Sequence, residues 1–351
     1  MRILAIHDSS GCAWYRVIQP LLEFRKHGYD VTFVTAHNER TPYDETEGFE
    51  LTRNFSGFDL VVGQRINKYD GLSVWRRGRT PFSRLVYEND DDLFNVTQEN
   101  WQAFQHYQRI DVREAVVAAC EVSDLVTVST DRLKAIHDEF NPNTVVLQNL
   151  IPAYVLKQSR TERKRPRVGW VGGASHGRDV HLATPSVRRF LKRFPEWDLY
   201  LGGVDFRPSF KVARDRAFHE PWIKVTDEPD LYYKSIDFDI GICPLIDTEF
   251  AKSKSYIKAL EYMARGIPVV ASDCAPYNEL VVHGENGFLV KRDHEWLEVL
   301  SNLASDNDLR HKMGEAGKAT AAQHTIDEHW TRWEHAYSKL YPANWTFGRN
   351  V

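Results

Sequence analysis

Short apolar runs of four to six residues alternate along this chain with stretches whose apolar positions recur every three or four residues. The first alternation is a run at residues 2–7, then a helical pattern over 14–27 that turns Val17, Leu21, Leu22 and Phe24 inward, then a run at 29–35. Such a strand–helix–strand succession predicts a βαβ unit. Further strands are predicted at 59–62, 85–88, 125–129 and 144–147, with helices at 112–120 and 133–140. At 168–171 the same grammar starts again, now followed by GGASHGRD. Strands at 199–201, 223–225, 239–243 and 267–271 are predicted there, with a strand or turn at 286–290. Helices are predicted at 184–194, from 231, and at 293–304, 306–319 and 326–341.

Two such series make the fold class α/β, with two doubly wound Rossmann-like domains. The expected division is a first domain over 1–156, a basic linker at 157–167 (KQSRTERKRPR) and a second domain over 168–327. Parallel sheets of this kind bind ligands at the carboxyl ends of their strands. The loops that follow the two opening strands, at Gly11 and at Gly172 and Gly173, are therefore the first places to look.

Chemistry concentrates between Asp247 and Asp273, DTEFAKSKSYIKALEYMARGIPVVASD. Ile257, Leu260 and Ala264 form one apolar helical face, Ser253 or Ser255 suits the N-cap, and Gly266 suits a left-handed C-terminal stop. Lys254, Lys258, Glu261 and Arg265 are spaced three or four apart and share a second face. A cationic helix start, with the amides of Ser255 and Tyr256 exposed, attracts an anion. Glu261 lies one turn on and can accept hydrogen bonds from sugar hydroxyls. Phosphate beside a diol suggests a nucleotide-sugar.

Composition narrows the class. The chain has 351 residues, 42% hydrophobic and 27% charged, with a net charge of −4, which argues against a protein that is basic throughout. Four widely spaced cysteines form no C-x-x-C pair, so reduced thiols are expected rather than a zinc site or disulfides. No leader pattern opens the chain and no apolar run reaches roughly 18 residues, so a cytoplasmic protein without a membrane span is expected. Between the strands at 59–62 and 85–88, a basic loop carries Arg65, Lys68, Arg76, Arg77, Arg79 and Arg84. It reads as a solvated face or as a dock for an anionic acceptor. The NDDDLF run that follows places Asp91 where it could bind acceptor hydroxyls or assist deprotonation, and His106 sits on the next helix.

The run SKSYIKALEYMARGIPVVASDCAPYNELVVHGENGFLV resembles the donor-binding segment of retaining GT-B glycosyltransferases, family 4 and its bacterial and phage relatives. That family shows E-x7-E, an A-x-G-x-P-V-V-A stretch and a glutamate before N-G-x-L-V. Glu261 matches the second glutamate, residues 266–270 the strand, Glu279 the later glutamate and 286–290 the turn. Ser253 stands at the first glutamate's position. The KSxxK run (Lys254, Ser255, Lys258) and HGRD, with Arg178, resemble a subgroup in which lysine and helix-start amides surround the diphosphate.

The resemblance implies a metal-independent retaining transferase whose two domains face across a cleft, with a C-terminal helix near 328–351 returning to the first. It implies Lys254 and Arg178 acting on the leaving diphosphate, Lys258 beside it, and a nucleotide-diphosphate-sugar, UDP-sugar first, as donor with no further cofactor. The acceptor would be a glycan or lipid-linked saccharide. The alternative is modified DNA tracked by Arg65, Lys68, Arg76, Arg77 and Arg79, with Trp14, Tyr15 and Trp75 stacking on a base. A nicotinamide oxidoreductase would need a G-x-G-x-x-G loop, which neither opening has. A sugar-nucleotide epimerase and a non-catalytic nucleic-acid-binding module are the other readings.

Overall fold

The computed structural model describes residues 1–8, 11–35, 41–44, 55–98 and 100–342. The chain divides into two compact units, Met1–Leu150 with Ile326–Val351, and Ile151–Thr325.

The first unit holds a six-stranded parallel sheet: β1 (Arg2–His7), β2 (Asp30–Thr35), β3 (Leu60–Gln64), β4 (Arg84–Asn89), β5 (Leu125–Val128) and β6 (Thr144–Val146). Their spatial order is β2-β1-β3-β4-β5-β6. Sequence order reverses between β1 and β3, which opens a crevice at their carboxyl ends. The central strands have apolar centres because both sheet faces are covered; every residue of β3 and β5 is buried. One core cluster joins Leu4, Val61, Leu85 and Val126 of the sheet to Ala115, Ala119 and Trp75 of its helices.

The second unit repeats the plan with β7 (Arg167–Gly172), β8 (Asp198–Gly203), β9 (Ala217–Glu220), β10 (Ile240–Cys243), β11 (Val269–Ser272) and β12 (Gly287–Val290). Their order is β12-β11-β10-β7-β8-β9, all parallel, and the reversal falls between β7 and β10. Trp170, Trp197 and Trp296 anchor its core.

Several expectations need correction. The sixth strand of the second sheet is Ala217–Glu220 and not 223–225, which holds no strand. The basic loop contains a helix, Tyr69–Gly78, seated by fully buried Trp75, whose indole donates to Ser123 Oγ at 2.9 Å. The last helix is two, Ile326–His329 and Thr331–Ser338, and residues 343–351 of the expected returning helix lie outside the described residues. Trp330 between them stacks on His27 at 4.1 Å, which ties this segment to the first unit. The linker arginines are not loose. Arg160 donates to Asp239 at 2.5 Å, Arg163 pairs with Asp237, and Arg165 reaches Asp198 at 3.0 Å, so the strand ends of the second sheet neutralise them.

The opening helix carries a π turn, Trp14–Ile18, between Gly11–Ala13 and Gln19–Lys26. It places Arg16 in the interior of the first unit, where Nε donates to Glu88 Oε1 at 2.6 Å and Nη1 to Asn149 Oδ1 at 2.8 Å. Thr127 and the Leu147 carbonyl complete the network. Glu88→Ala would leave a buried guanidinium without its counter-charge, at a cost of about 3–5 kcal/mol. Chemical denaturation should show the first unit destabilised by that amount. A shift of only a few tenths would mean that solvent reaches Arg16.

Candidate donor site

The site in the second unit starts from glycines. Gly203 has φ +91°, and a Cβ there would lie 2.3 Å from the Gly172 carbonyl oxygen. A Cβ at Gly172 would lie 2.4 Å from the Trp170 ring and 3.0 Å from Lys258 Nζ. The end of β7 therefore tolerates no side chain, and backbone and amine come together there. After Gly173 come a short 3-10 turn, Ala174–His176, and the long helix Gly177–Arg193, whose first turn holds Arg178 and Asp179. Arg178 is exposed.

The signature stretch enters as two helices, Glu249–Lys252 and Ile257–Ala264. Ser253 is fully buried as the C-cap of the first, and Tyr256 occupies the N-cap of the second without a side-chain cap bond. Neither expected serine occupies the N-cap position, and Ser253 Oγ instead donates back to the Glu249 carbonyl at 3.4 Å. Gly266 closes this helix with φ +65°, as expected.

Lys258 donates to the Val171 carbonyl and lies 5.0 Å over the Trp170 ring. Burial pushes its ammonium below the usual lysine range, and Lys254 pushes the same way. Lys254 lies over Phe250 at 4.6 Å. Glu261, 3% exposed, accepts from Tyr232 OH at 3.2 Å and acts electrostatically on Lys258. Arg265 does not join them. It donates to the carbonyls of Ile236, Gln158 and Ser159, and so braces the far end of the helix.

One residue unweighted in the sequence belongs here. His176 Nδ1 bonds Asp179 Oδ2 at 2.9 Å, and Asp179 Oδ1 accepts from the Ile246 amide at 3.0 Å, which links the loops after β7 and β10. Burial, with Lys258 and Lys254 close by, lowers the His176 pKa to about 4 against the pull of Asp179. The imidazole is neutral at pH 7. The only sequence signal for it was its place in HGRD. Glu279 is exposed on a short turn, and Asn286 is structural, bonded to Val282 N at 2.8 Å and Thr320 Oγ1 at 3.0 Å.

In the first unit, the expected acceptor residues divide. Gly11 is exposed at the start of the π-kinked helix, and neighbouring Ser9 and Ser10 lie outside the described residues. Asp91 accepts from Arg65 Nη2 at 2.8 Å, beside Asp90 at 2.5 Å and Asp8 at 3.3 Å. Arg65 is therefore no surface phosphate contact: it is locked among carboxylates at the β1–β3 crevice, with φ +50°. Cys12, Asp90 and Asp91 stand close enough to share a cation, but Arg65 already serves both carboxylates and burial keeps the Cys12 thiol protonated. His106 lies apart, its pKa lowered by burial and then by Lys68 and Arg109. Lys68, Arg76, Arg77 and Arg79 are exposed. Trp14, Tyr15 and Trp75 are buried and offer no face to a base.

Comparison with known proteins agrees with this geometry. Residues 165–306 match the family described as glycosyl transferases group 1. An uncharacterized glycosyltransferase of Haemophilus influenzae is 26% identical over 341 residues, 88% of this chain and 91% of the relative. The solved sucrose-phosphate synthase of Thermosynechococcus elongatus superposes with a TM-score of 0.67 at 15% identity, over 97% of this chain and 99% of that one. An α-glucosyltransferase solved with UDP and a 13-mer DNA containing an HMU base gives 0.64 at 13% identity, over 95% and 98%. Among the described residues no helix is long and apolar enough to cross a membrane.

The low His176 pKa has a testable consequence. Between about pH 6.5 and 4 the unfolded chain binds a proton that the folded chain refuses, so stability is present above pH 6.5 and is lost as pH falls through 4. The limit is on the order of 3 kcal/mol. His176→Gln should flatten that part of the stability–pH curve; equal slopes in both proteins would show that His176 titrates normally. Residues 165–306 match glycosyl transferases group 1, and the named relative aligns over most of both chains: the chain is a glycosyltransferase with two Rossmann-like units.

Proposed function

We propose that the chain transfers a sugar from a nucleotide-diphosphate-sugar, a UDP-sugar first, to a hydroxyl of a glycan or lipid-linked saccharide, with retention and without a metal. We also place it in the KSxxK subgroup. The observation that carries this reading is Lys258 held on the Val171 carbonyl at a bare glycine turn, with Lys254 and an uncapped helix start beside it. Charge grows on the diphosphate as the glycosidic bond breaks. Lys254, Arg178 and the amides near Ser255 and Tyr256 stabilise that charge, and Lys258 reinforces them. Neutral His176 adds no competing cation. Glu261, steadied by Tyr232, holds the ribose hydroxyls. The departing phosphate takes the acceptor proton, so no paired carboxylates are needed.

A hydroxyl acceptor suits the first unit's crevice, where three carboxylates face one guanidinium among the described residues. Such a site repels phosphate and accepts hydrogen bonds from sugar hydroxyls. Modified DNA is the weaker reading, since Arg65 and all three proposed stacking rings are buried. It retains Lys68, Arg76, Arg77 and Arg79, and a fold shared with a transferase solved on DNA.

A thermal-shift screen with UDP-, GDP-, dTDP-, CMP- and ADP-sugars, followed by mass analysis of candidate acceptors, tests the donor and acceptor together. Lys254→Ala should lower turnover by about 100-fold or more. Unchanged donor affinity and rate would sink the assignment. Interconversion of free donor without transfer would identify an epimerase instead.

A further inference from the structure

A second cationic feature lies on the same unit. The later turns of the helix Gly177–Arg193 and the segment 210–216 enclose a groove of about 540 Å³. Five of its lining side chains are cations: Arg188, Arg189, Lys192, Lys211 and Arg216. The rest are apolar, with buried Leu191 and Phe210 in its floor. Among the described residues no carboxylate, amide or hydroxyl side chain lines it. Arg188 and Lys192 follow Gly177 by 11 and 15 residues, so they stand roughly 17 and 22 Å along the axis from the glycine loop. The groove is therefore separate from the donor site.

Its cations have different standing. Arg216 is structural, because it donates to the carbonyls of Leu191 at 3.1 Å, Phe194 at 3.3 Å and Trp197, and so gathers the end of the helix. Arg189 Nε reaches its own helix at the Pro185 carbonyl, 3.3 Å away. Arg188, Lys192 and Lys211 are exposed, and among the described residues no carboxylate pairs with them. The helix dipole accounts for cations in a last turn. It does not account for Arg188, which precedes that turn, or for Lys211, on another segment and held at φ +50° where lysine is uncommon.

We propose that this groove seats the phosphate headgroups of an anionic lipid surface and docks the second unit on it. A floor of apolar side chains under a rim of long cationic ones suits lipid, because lysine and arginine stems lie over apolar surface while their heads reach phosphate. Nucleic acid fits less well. Its recognition adds amide, hydroxyl and stacking contacts to the phosphate ones, and the groove offers none of these. The proposal does not depend on the donor reading, and its test needs no turnover.

Co-sedimentation of the full chain with vesicles of phosphatidylcholine, alone or mixed with phosphatidylglycerol, provides the test. Binding is expected to the mixed vesicles only, and should weaken as salt is raised. Each charge removed near the surface is expected to weaken binding about fivefold. Lys211→Asn should do so while keeping a residue that tolerates the left-handed backbone. Arg188→Glu with Lys192→Glu should abolish binding, and Lys312→Glu, an exposed lysine on another helix, should not. Thermal unfolding of each variant separates lost binding from lost fold. Equal binding to both vesicles, indifference to these substitutions, or groove-dependent capture of duplex DNA in place of vesicles would each overturn the proposal.

Discussion

The second unit depends on a close approach of backbone at the end of β7. Gly203 must be bare because its Cβ position is filled by the Gly172 carbonyl, and Gly172 must be bare because Trp170 and Lys258 fill the space around it. The two sides of Val171 then tie strand to helix. Its amide donates to Tyr262 OH at 2.9 Å and its carbonyl accepts from Lys258. An ammonium drawn from water is thereby fixed beside the glycine turn, and its lowered pKa reflects that burial.

The two crevices resemble each other in topology and differ in electrostatics. Both lie where strand order reverses, between β1 and β3 and between β7 and β10. In the first, Arg65 is outnumbered by Asp8, Asp90 and Asp91. In the second, burial, with Lys258 and Lys254 adding to it, lowers the His176 pKa against the pull of its aspartate partner. The two crevices share an architecture and differ in the charged side chains of their loops.

Helix termini carry much of the remaining specificity. Tyr256 starts its helix without a side-chain cap bond of its own, whereas the end at Arg265 is sealed by a guanidinium bonded to three backbone carbonyls.

The sequence by itself determined the two series of parallel strands, since strands covered on both faces need an apolar centre, and β1, β3, β7, β10 and β11 have one. It also determined the turn at Gly266, where the left-handed backbone selects glycine. Short edge strand β9, AFHE, was hidden because an edge strand needs no continuous apolar run. The helix Tyr69–Gly78 was masked by its exposed arginines, although its buried Trp75 holds it in the core. Only tertiary structure could separate Arg65 from Arg76, or Lys258 from Arg265, because like residues at helical spacing carry no record of their partners. Those partners, Asp90 and Asp91 in one case and the Val171 and Ile236 carbonyls in the other, come from strands and loops distant in the chain. Charge is written in the sequence, but the surroundings that assign it to binding or to bracing exist only once the chain has folded.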